Sequence, residues 1–470
     1  MKKTELIKYF NNNAKDTHKW HRRNRYYYDD LKRFLKFNIE PGAKVLEIGS
    51  GTGEFLSTVN PKRGVGVDLS SEAIRIAQEK YPNLEFIQAD VDKKIELSET
   101  FDYIILADLI GYLEDIQTSF ENIQHICHRR SRLIVTQYNS VWWPILKLGE
   151  VLRLKQKQPI LNWIGGNDIK KLLDLAGFEI IKSGRRLLFP KYVPLISWFL
   201  NKIVANLPII NYFCLTEYFI LRPKPKSDAS DYAVSVIIPA RNEKGNIEDA
   251  IKRLPSMGSN TEIIFVEGNS TDNTLEEIKR VTEKYKNKRD IKYFVQEGKG
   301  KYDAVKKGFA NAQGEILMIL DADLTVVPEV LPKFYDIMRN HQAEYLQGTR
   351  LIYPMEGEAM QFLNYLANKF FGLSFSWLLG QYMTDTLCGT KVLFKKDYEK
   401  IAAGRKFFGD FDPFGDFDLI FGANKLNLKI AELPIHYKER KYGSTNISRF
   451  KHGLILFKML WVGIKKFKLH

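Results

Sequence analysis

Residues 318–325, MILDADLT, run from apolar positions into two aspartates, Asp321 and Asp323. An apolar strand ending in paired carboxylates makes a hard, oxygen-lined seat for Mg2+ or Mn2+, the kind that holds a nucleotide diphosphate. That chemistry points to group transfer from a nucleotide-activated donor. Far upstream, residues 45–55, VLEIGSGTGEF, form a second apolar strand followed by a glycine turn. Small residues there let the backbone approach a different nucleotide-like cofactor. Two such elements predict two enzymes in one chain.

At 470 residues the chain exceeds what one hydrophobic core usually serves, so two domains are expected. Its 71 Lys and Arg against 56 Asp and Glu leave a formal charge of +15, which suits anionic partners. No zinc module, basic helix or helix-turn-helix accompanies that charge, so nucleic acid is not an expected partner. Cys127, Cys214 and Cys388 lie far apart, without zinc-ligand spacing and in an odd number that does not suit a disulfide framework. A reducing cytoplasm is the expected setting. The opening MKKTELIKYFNNN lacks the apolar region of a signal peptide, and no uncharged apolar run reaches the ~18 residues needed to span a bilayer. The chain is therefore expected to be cytoplasmic, either soluble or peripheral on the inner face of the membrane.

In the first half, apolar strands (VLEIG, GVGVD, LEFIQAD, YIILAD, RLIVTQY) alternate with helical stretches such as SSEAIRIAQEKY. This alternation predicts parallel βαβ units and a doubly wound α/β sheet. RPKPKSDASD, at 222–231, is polar, carries two prolines and reads as a linker. After it the alternation restarts with VSVIIPA, EIIFVEG, IKYFVQ and EILMILDAD, which predicts a second α/β sheet. The expected domains are 1–222 and 232–450, separated by a linker at 223–231 and followed by a basic amphipathic segment at 451–470. FGDFDPFGDFD, at 408–418, repeats locally and is expected to put aspartate pairs on a loop.

In the glycine turn, Gly49, Gly51 and Gly53 follow Glu47, while Asp68 and Asp90 end the next two strands. One acid can hold ribose hydroxyls and the next an adenine amine. The row resembles class I S-adenosylmethionine-dependent methyltransferases over roughly residues 40–140, with a Rossmann-like sheet. The resemblance implies that Glu47, Gly49, Gly51, Gly53, Asp68 and Asp90 lie against S-adenosylmethionine. A dinucleotide dehydrogenase would show G-x-G-x-x-G, whereas this turn is G-x-G-x-G. Methyl transfer depends on alignment more than on acid–base help, so Asp108, Tyr112, His18 and His21 are only candidate acceptor-side groups.

In the second half, Pro239, Arg241 and Glu243 follow a strand, and Glu267 and Asn269 end the next. Strand ends of open α/β sheets are where ligands collect. A basic, glycine-rich stretch with Lys299, Lys301 and Asp303 then leads into Asp321 and Asp323. These segments, in this order, resemble glycosyltransferase family 2, with its GT-A fold, and within it the dolichyl-phosphate mannosyltransferase-like branch. The resemblance covers about residues 232–450. It implies that Pro239, Arg241, Glu243, Glu267 and Asp303 hold the nucleoside of a UDP- or GDP-linked sugar. It also implies that Asp321 and Asp323 hold the metal, and that Arg350 and Arg440 lie near donor or acceptor phosphate. Asn269 and Lys299 complete the expected donor site. Two departures stand out. The usual aspartate pair is Glu267-Gly268-Asn269 here, and the terminal motif after Arg440 ends in Thr445 and Asn446 without the usual lysine.

Inverting sugar transfer needs a base for a hydroxyl nucleophile and much less of one for an ionised phosphate. Asp385, Asp416 and Asp418 are the candidate catalytic carboxylates. The tail, SRFKHGLILFKMLWVGIKKFKLH, and residues 187–221 and 370–380 mix aromatics and aliphatics with lysine. Segments of this kind suit contact with an anionic membrane surface and a lipid-linked or polyprenyl-phosphate acceptor. The expectation is a bifunctional sugar and methyl transferase in one glycan or glycolipid pathway. The alternative is that only one domain is catalytic and the other a binding or scaffolding module.

Overall fold

Seven strands build the sheet of the first unit: β1 (Lys44–Ile48), β2 (Arg63–Asp68), β3 (Glu85–Gln88), β4 (Phe101–Ala107), β5 (Cys127–Tyr138), β6 (Phe178–Arg186) and β7 (Thr216–Pro223). They lie in the order β3-β2-β1-β4-β5-β7-β6. β1 to β5 pair in parallel. The middle strands are apolar almost without interruption because both faces are covered, as parallel sheets require. Alternate residues serve opposite faces. Val45, Ile105 and Ile134 meet Phe34 and Leu35 of the helix Arg25–Asn38 and Ile74 and Ala77 of the helix Ser71–Lys80. Leu46, Ile104 and Leu133 meet Phe120 of the helix Ile116–Asn122 and Ile169 and Leu173 of the helix Gly166–Leu175. Arg186, at the end of β6, donates to both oxygens of buried Asp30 at 2.6 and 2.8 Å.

The sheet departs from an all-parallel one at a single edge. β7 runs antiparallel to β5 on one side and to β6 on the other. Between β6 and β7 the chain makes three short helical turns, Ile196–Lys202, Val204–Asn206 and Pro208–Asn211. It returns to the same side of the sheet, so no crossover helix is needed.

The computed structural model describes residues 3–159, 162–226, 230–353, 362–409, 415–440, 442 and 449–469, without the side chains of 362–365, 416 and 449–452. The chain divides into two units, Met1–Lys224 and Pro225–His470.

The second unit has its own seven strands: β8 (Val234–Ala240), β9 (Thr261–Glu267), β10 (Asp290–Val295), β11 (Ile316–Ile319), β12 (Tyr345–Thr349), β13 (Lys391–Phe394) and β14 (Ile430–Pro434). Their order is β10-β9-β8-β11-β13-β12-β14. β8 to β11 pair in parallel, and β13 runs antiparallel to both β11 and β12. Val236, Ile238 and Phe265 fill the core on one face, and Ile237, Ile264 and Leu317 fill the core on the other. Asp416 and Asp418 are not on a loop. Gly415 takes a left-handed φ of 75°, and the chain enters the helix Asp416–Lys425 directly after it. The Asp416 side chain, like Asp410 and Asp412, lies outside the described residues.

Phe120 is fully buried and packs edge-on against Phe178, with ring centroids 5.9 Å apart. Phe120→Ala should destabilise the first unit by about 3–5 kcal/mol, read as a lower midpoint in urea unfolding followed by circular dichroism.

Candidate functional site

Each unit collects polar groups at the carboxyl ends of its parallel strands. In the first, Gly49, Gly51 and Gly53 all have positive φ, at 74°, 51° and 79°. A Cβ at Gly49 or Gly53 would also run into Leu109 or Phe86, whereas the space beside Gly51 is open. Asp68, at the end of β2, pins this turn by accepting from the Gly51 amide at 2.8 Å and from the Ser70 amide at 2.8 Å. Ser50 Oγ is buried in the turn without a hydrogen-bond partner. An open cradle, an orphaned hydroxyl and a carboxylate at a strand end fit a nucleoside such as that of S-adenosylmethionine.

Glu47 lies deeper and does different work, accepting from the Leu56 amide at 2.9 Å. Burial pushes its carboxyl well above the ordinary value, and the Leu56 N–H opposes that shift without cancelling it. Asp90 is paired with Lys3 at 2.6 Å, and Asn11 of the helix Lys3–Asn13 accepts from Ser70 Oγ at 2.7 Å. The first helix thus lies over the ends of β2 and β3.

Beside the turn stands a pocket of tyrosines. Asp108, just past β4, holds a left-handed φ of 54°, a costly conformation for a residue with a side chain. It accepts from Tyr27 Oη at 2.5 Å and from Thr136 Oγ1 at 3.0 Å. Burial raises its pKa, and burial followed by the Asp108 charge raises those of Tyr27, Tyr28 and Tyr138. Tyr112 is raised in the same sense by burial, then by Tyr9 and Asp108. His21 stacks on Tyr28 and meets Glu54 at 3.0 Å, while His18 is exposed. Glu54, which also receives Lys32 and Lys80, was not singled out from sequence because its partners come from distant helices.

In the second unit, Asp321 and Asp323 lie just beyond β11, and each faces a cation. Lys301 Nζ is 2.5 Å from Asp321. Arg440 reaches Asp323 at 2.6 Å and Glu243 at 3.2 Å. Burial works against charge on Asp321, but Lys301, with Lys391 and Arg350 behind it, holds its pKa below the ordinary value. Among the described residues no group of three or more His, Cys, Asp or Glu side chains could hold a metal. A two-carboxylate seat still fits Mg2+ or Mn2+, since such ions take one or two carboxylates and fill the rest of their shell from water and substrate phosphate.

The other donor-site candidates line the same strand ends. Pro239, one residue before the end of β8, lies opposite Val266. Glu267 caps the following turn through the Ser270 amide at 2.6 Å, and Asn269 is exposed with φ 56°. Asp303 ties back its own loop through the Gly298 amide at 2.8 Å. Arg241 and Lys299 are exposed.

Asp385 is fully buried and gives both oxygens to Arg350, at 2.7 and 2.8 Å. Burial would raise its pKa, yet Arg350 holds it below the ordinary value. Asp418 accepts from Tyr302 and from Arg405. Both carboxylates thus receive guanidinium groups. Gly389 is a further site residue: a Cβ there would overlap Asp321 Oδ2 and stand 2.6 Å from Lys301 Nζ. In the sequence Asp385 is the one residue of this stretch taken as a site candidate, because the reason for the glycine lies across the fold. Thr386 and Thr390 on the same loop keep buried hydroxyls without partners.

Residues 235–401 match the family model described as glycosyl transferase family 2, and residues 19–183 match a model described as a methyltransferase domain. The chain joins a methyltransferase domain to a family 2 glycosyltransferase domain. A dolichol-phosphate mannosyltransferase of Saccharomyces cerevisiae is 39% identical over 121 residues, which are 25% of this chain and 44% of that protein. One from Pyrococcus furiosus is 34% identical over 139 residues, 29% of this chain and 38% of that protein. The chain thus spans less than half the length of these relatives. An S-adenosylmethionine-dependent methyltransferase structure from Mesorhizobium loti aligns over 41% of this chain and 96% of its own, at 15% identity and a TM-score of 0.32.

Two substitutions probe these sites. Gly389→Ala should displace Asp321 or Lys301 and lower sugar transfer by roughly a hundredfold, measured as steady-state turnover, with the fold retained by circular dichroism. For Glu47 the raised pKa means that the native state keeps a proton the unfolded chain has lost. Its contribution is present below the ordinary value of 4.5 and is lost as pH rises through the native value. Glu47→Gln keeps an oxygen for the Leu56 amide, so urea titrations from pH 4.5 upward should show a flatter loss of stability than in the wild type.

Proposed function

We propose that the chain is a bifunctional enzyme, with a methyltransferase domain over residues 1–222 and a glycosyltransferase domain over 232–450. The second domain transfers a sugar, with inversion, from a UDP- or GDP-linked donor to a polyprenyl-phosphate or other lipid-linked acceptor. The first transfers a methyl group from S-adenosylmethionine within the same glycan pathway. The observation that carries the sugar-transfer reading is the pair Asp321 and Asp323 at the strand end, each facing a cation.

A bound divalent ion would neutralise the charge that builds on the departing diphosphate. Asp321 and Asp323 would hold it, and Lys301 and Arg440, released from them, are placed to take phosphate oxygens. Glu243, Glu267 and Asp303 are the groups to orient the nucleoside. The acceptor oxygen forms the new bond to the anomeric carbon as the bond to the diphosphate breaks. The commitment of Asp385 and Asp418 to arginines supports an acceptor that arrives already ionised, since a phosphate oxygen has no proton to lose. Arg350, half-buried against Asp385 and under the ring of Tyr437, is the candidate to meet that phosphate.

A lipid-linked acceptor also suits the second unit's surface. The helices Phe362–Leu379 and Arg449–Gly463 meet through Phe370, Phe371 and Phe457, yet leave Leu373, Leu454 and Trp461 exposed. Lys465, Lys466 and Lys468 follow in the last turn of the chain. Among the described residues no helix is long and apolar enough to cross a membrane. An apolar face with lysines beside it suits a helix pair lying on anionic lipid.

Calorimetric titration with UDP- and GDP-sugars, with and without Mn2+, tests the donor site. One nucleotide should bind in a metal-dependent way, and Asp321→Ala with Asp323→Ala should weaken it at least about tenfold. Equal binding by wild type and variant would remove the metal role from these aspartates.

A further inference from the structure

The first unit carries an apolar surface of its own. On the helix Trp143–Val151, Ile145, Leu148 and Val151 are exposed, the last at 79%. On the excursion between β6 and β7, Leu195, Trp198, Phe199 and Ile209 are exposed by half or more, Leu195 at 84%. The two segments are stitched together where they meet. Trp142 Nε1 donates to the Phe213 carbonyl at 2.7 Å, and Asn139 Nδ2 donates to the carbonyls of Tyr212 and Cys214 at 2.8 and 2.9 Å. A face this large and this apolar is rare on a protein that meets only water.

Charge indicates what covers it. From residue 187 to 213 the sequence has no acidic residue but has Lys191 and Lys202, and burial lowers the pKa of Lys202 to about 8. Glu150, the one acid on the neighbouring helix, is neutralised by Lys147 and Lys155 at 2.9 and 3.4 Å. Arg153 and Lys157 follow. Tryptophan, phenylalanine and tyrosine among leucine and isoleucine, with Lys191, Arg153 and Lys157 beside them and no acid from 187 to 213, is the composition of a surface seated at the headgroup level of an anionic bilayer. The wall of the tyrosine pocket belongs to the same region: Tyr28, Tyr138, Trp142 and Leu146 pack in one cluster around Tyr27, Leu31, Leu187 and Leu215.

We propose that the methyltransferase unit docks on an anionic lipid surface through the face formed by the helix Trp143–Val151 and residues 195–213. This deepens the methyltransferase reading and rests on it for one consequence only: the methyl acceptor reaches the tyrosine pocket from the membrane side.

The full-length chain can be floated with vesicles of phosphatidylcholine containing a quarter phosphatidylglycerol, without cofactor or nucleotide. Three versions would be compared: wild type, Trp198→Glu with Phe199→Glu, and Leu148→Glu with Val151→Glu. Each variant should raise the lipid concentration for half-binding at least about tenfold. Leu454→Glu with Trp461→Glu reports the second unit separately. Wild-type binding by both first-unit variants, with loss only in the Leu454 and Trp461 variant, would overturn the proposal and leave the second unit's contact standing. A wild-type dimer that both first-unit variants convert to monomer without changing flotation would also overturn it, by giving the face to a second copy. S-adenosylmethionine binding by calorimetry is scored on the same proteins. Its absence from wild type would strike the methyltransferase reading and leave the docking result intact.

Discussion

The charge on Asp321 is the condition on which the second unit's site depends. Part-burial works against that charge, and the ammonium of Lys301, 2.5 Å away, with Lys391 and Arg350 behind it, offsets the cost. The consequences run outward. Lys301 is delivered by the first turn of the helix Lys301–Asn311, so the glycine-rich loop before it must close tightly, which Asp303 secures through the Gly298 amide. The strand that carries Asp321 is fixed by β8 on one side and by β13 on the other. The loop leading into β13 must pass Asp321 closely, which is why Gly389 has no side chain there. Arg350 and Lys391, behind the pair, add positive charge that would be intolerable without Asp385 and the Cys388 carbonyl to receive it.

The first unit solves a different problem. Its turn carries no cation comparable to Lys301 and instead offers backbone amides, positive-φ glycines and Asp68. That arrangement suits a ligand that brings its own positive charge, whereas the lysines and arginines of the second site suit one rich in negative charge. The two halves therefore present opposite electrostatic surroundings at the ends of their parallel strands.

What was readable in advance was what sequence-local physics determines. Apolar runs ending in acids gave β2, β3, β4, β9 and β11, because strand period, turn residues and terminal carboxylates are all written within about ten positions. β7 escaped notice because its residues sit among aromatics that look the same whether they pair in a sheet or cover a surface. The partners of the acids were equally hidden. Asp385 looks in sequence like a free carboxylate, yet Arg350 lies 35 positions away, and Tyr27 reaches Asp108 across 81. Lysines in the glycine-rich stretch were legible as a group, but only the fold separates Lys301, held at Asp321, from exposed Lys299.

The strand order of the first unit also governs how it can be cut and pulled. β7, the last strand before the residues that lead to the second unit, is not at the edge: it sits between β5 and β6 and is hydrogen-bonded on both sides. Tension transmitted along the connecting chain meets two ladders at once, and Lys224 adds a further bond to the Gly177 carbonyl at 2.8 Å. The first unit is thus gripped by its tether from within. A proteolytic nick between β6 and β7 would leave a complete sheet only while both fragments stay paired, so the exposed excursion can be severed without releasing the strand that follows it.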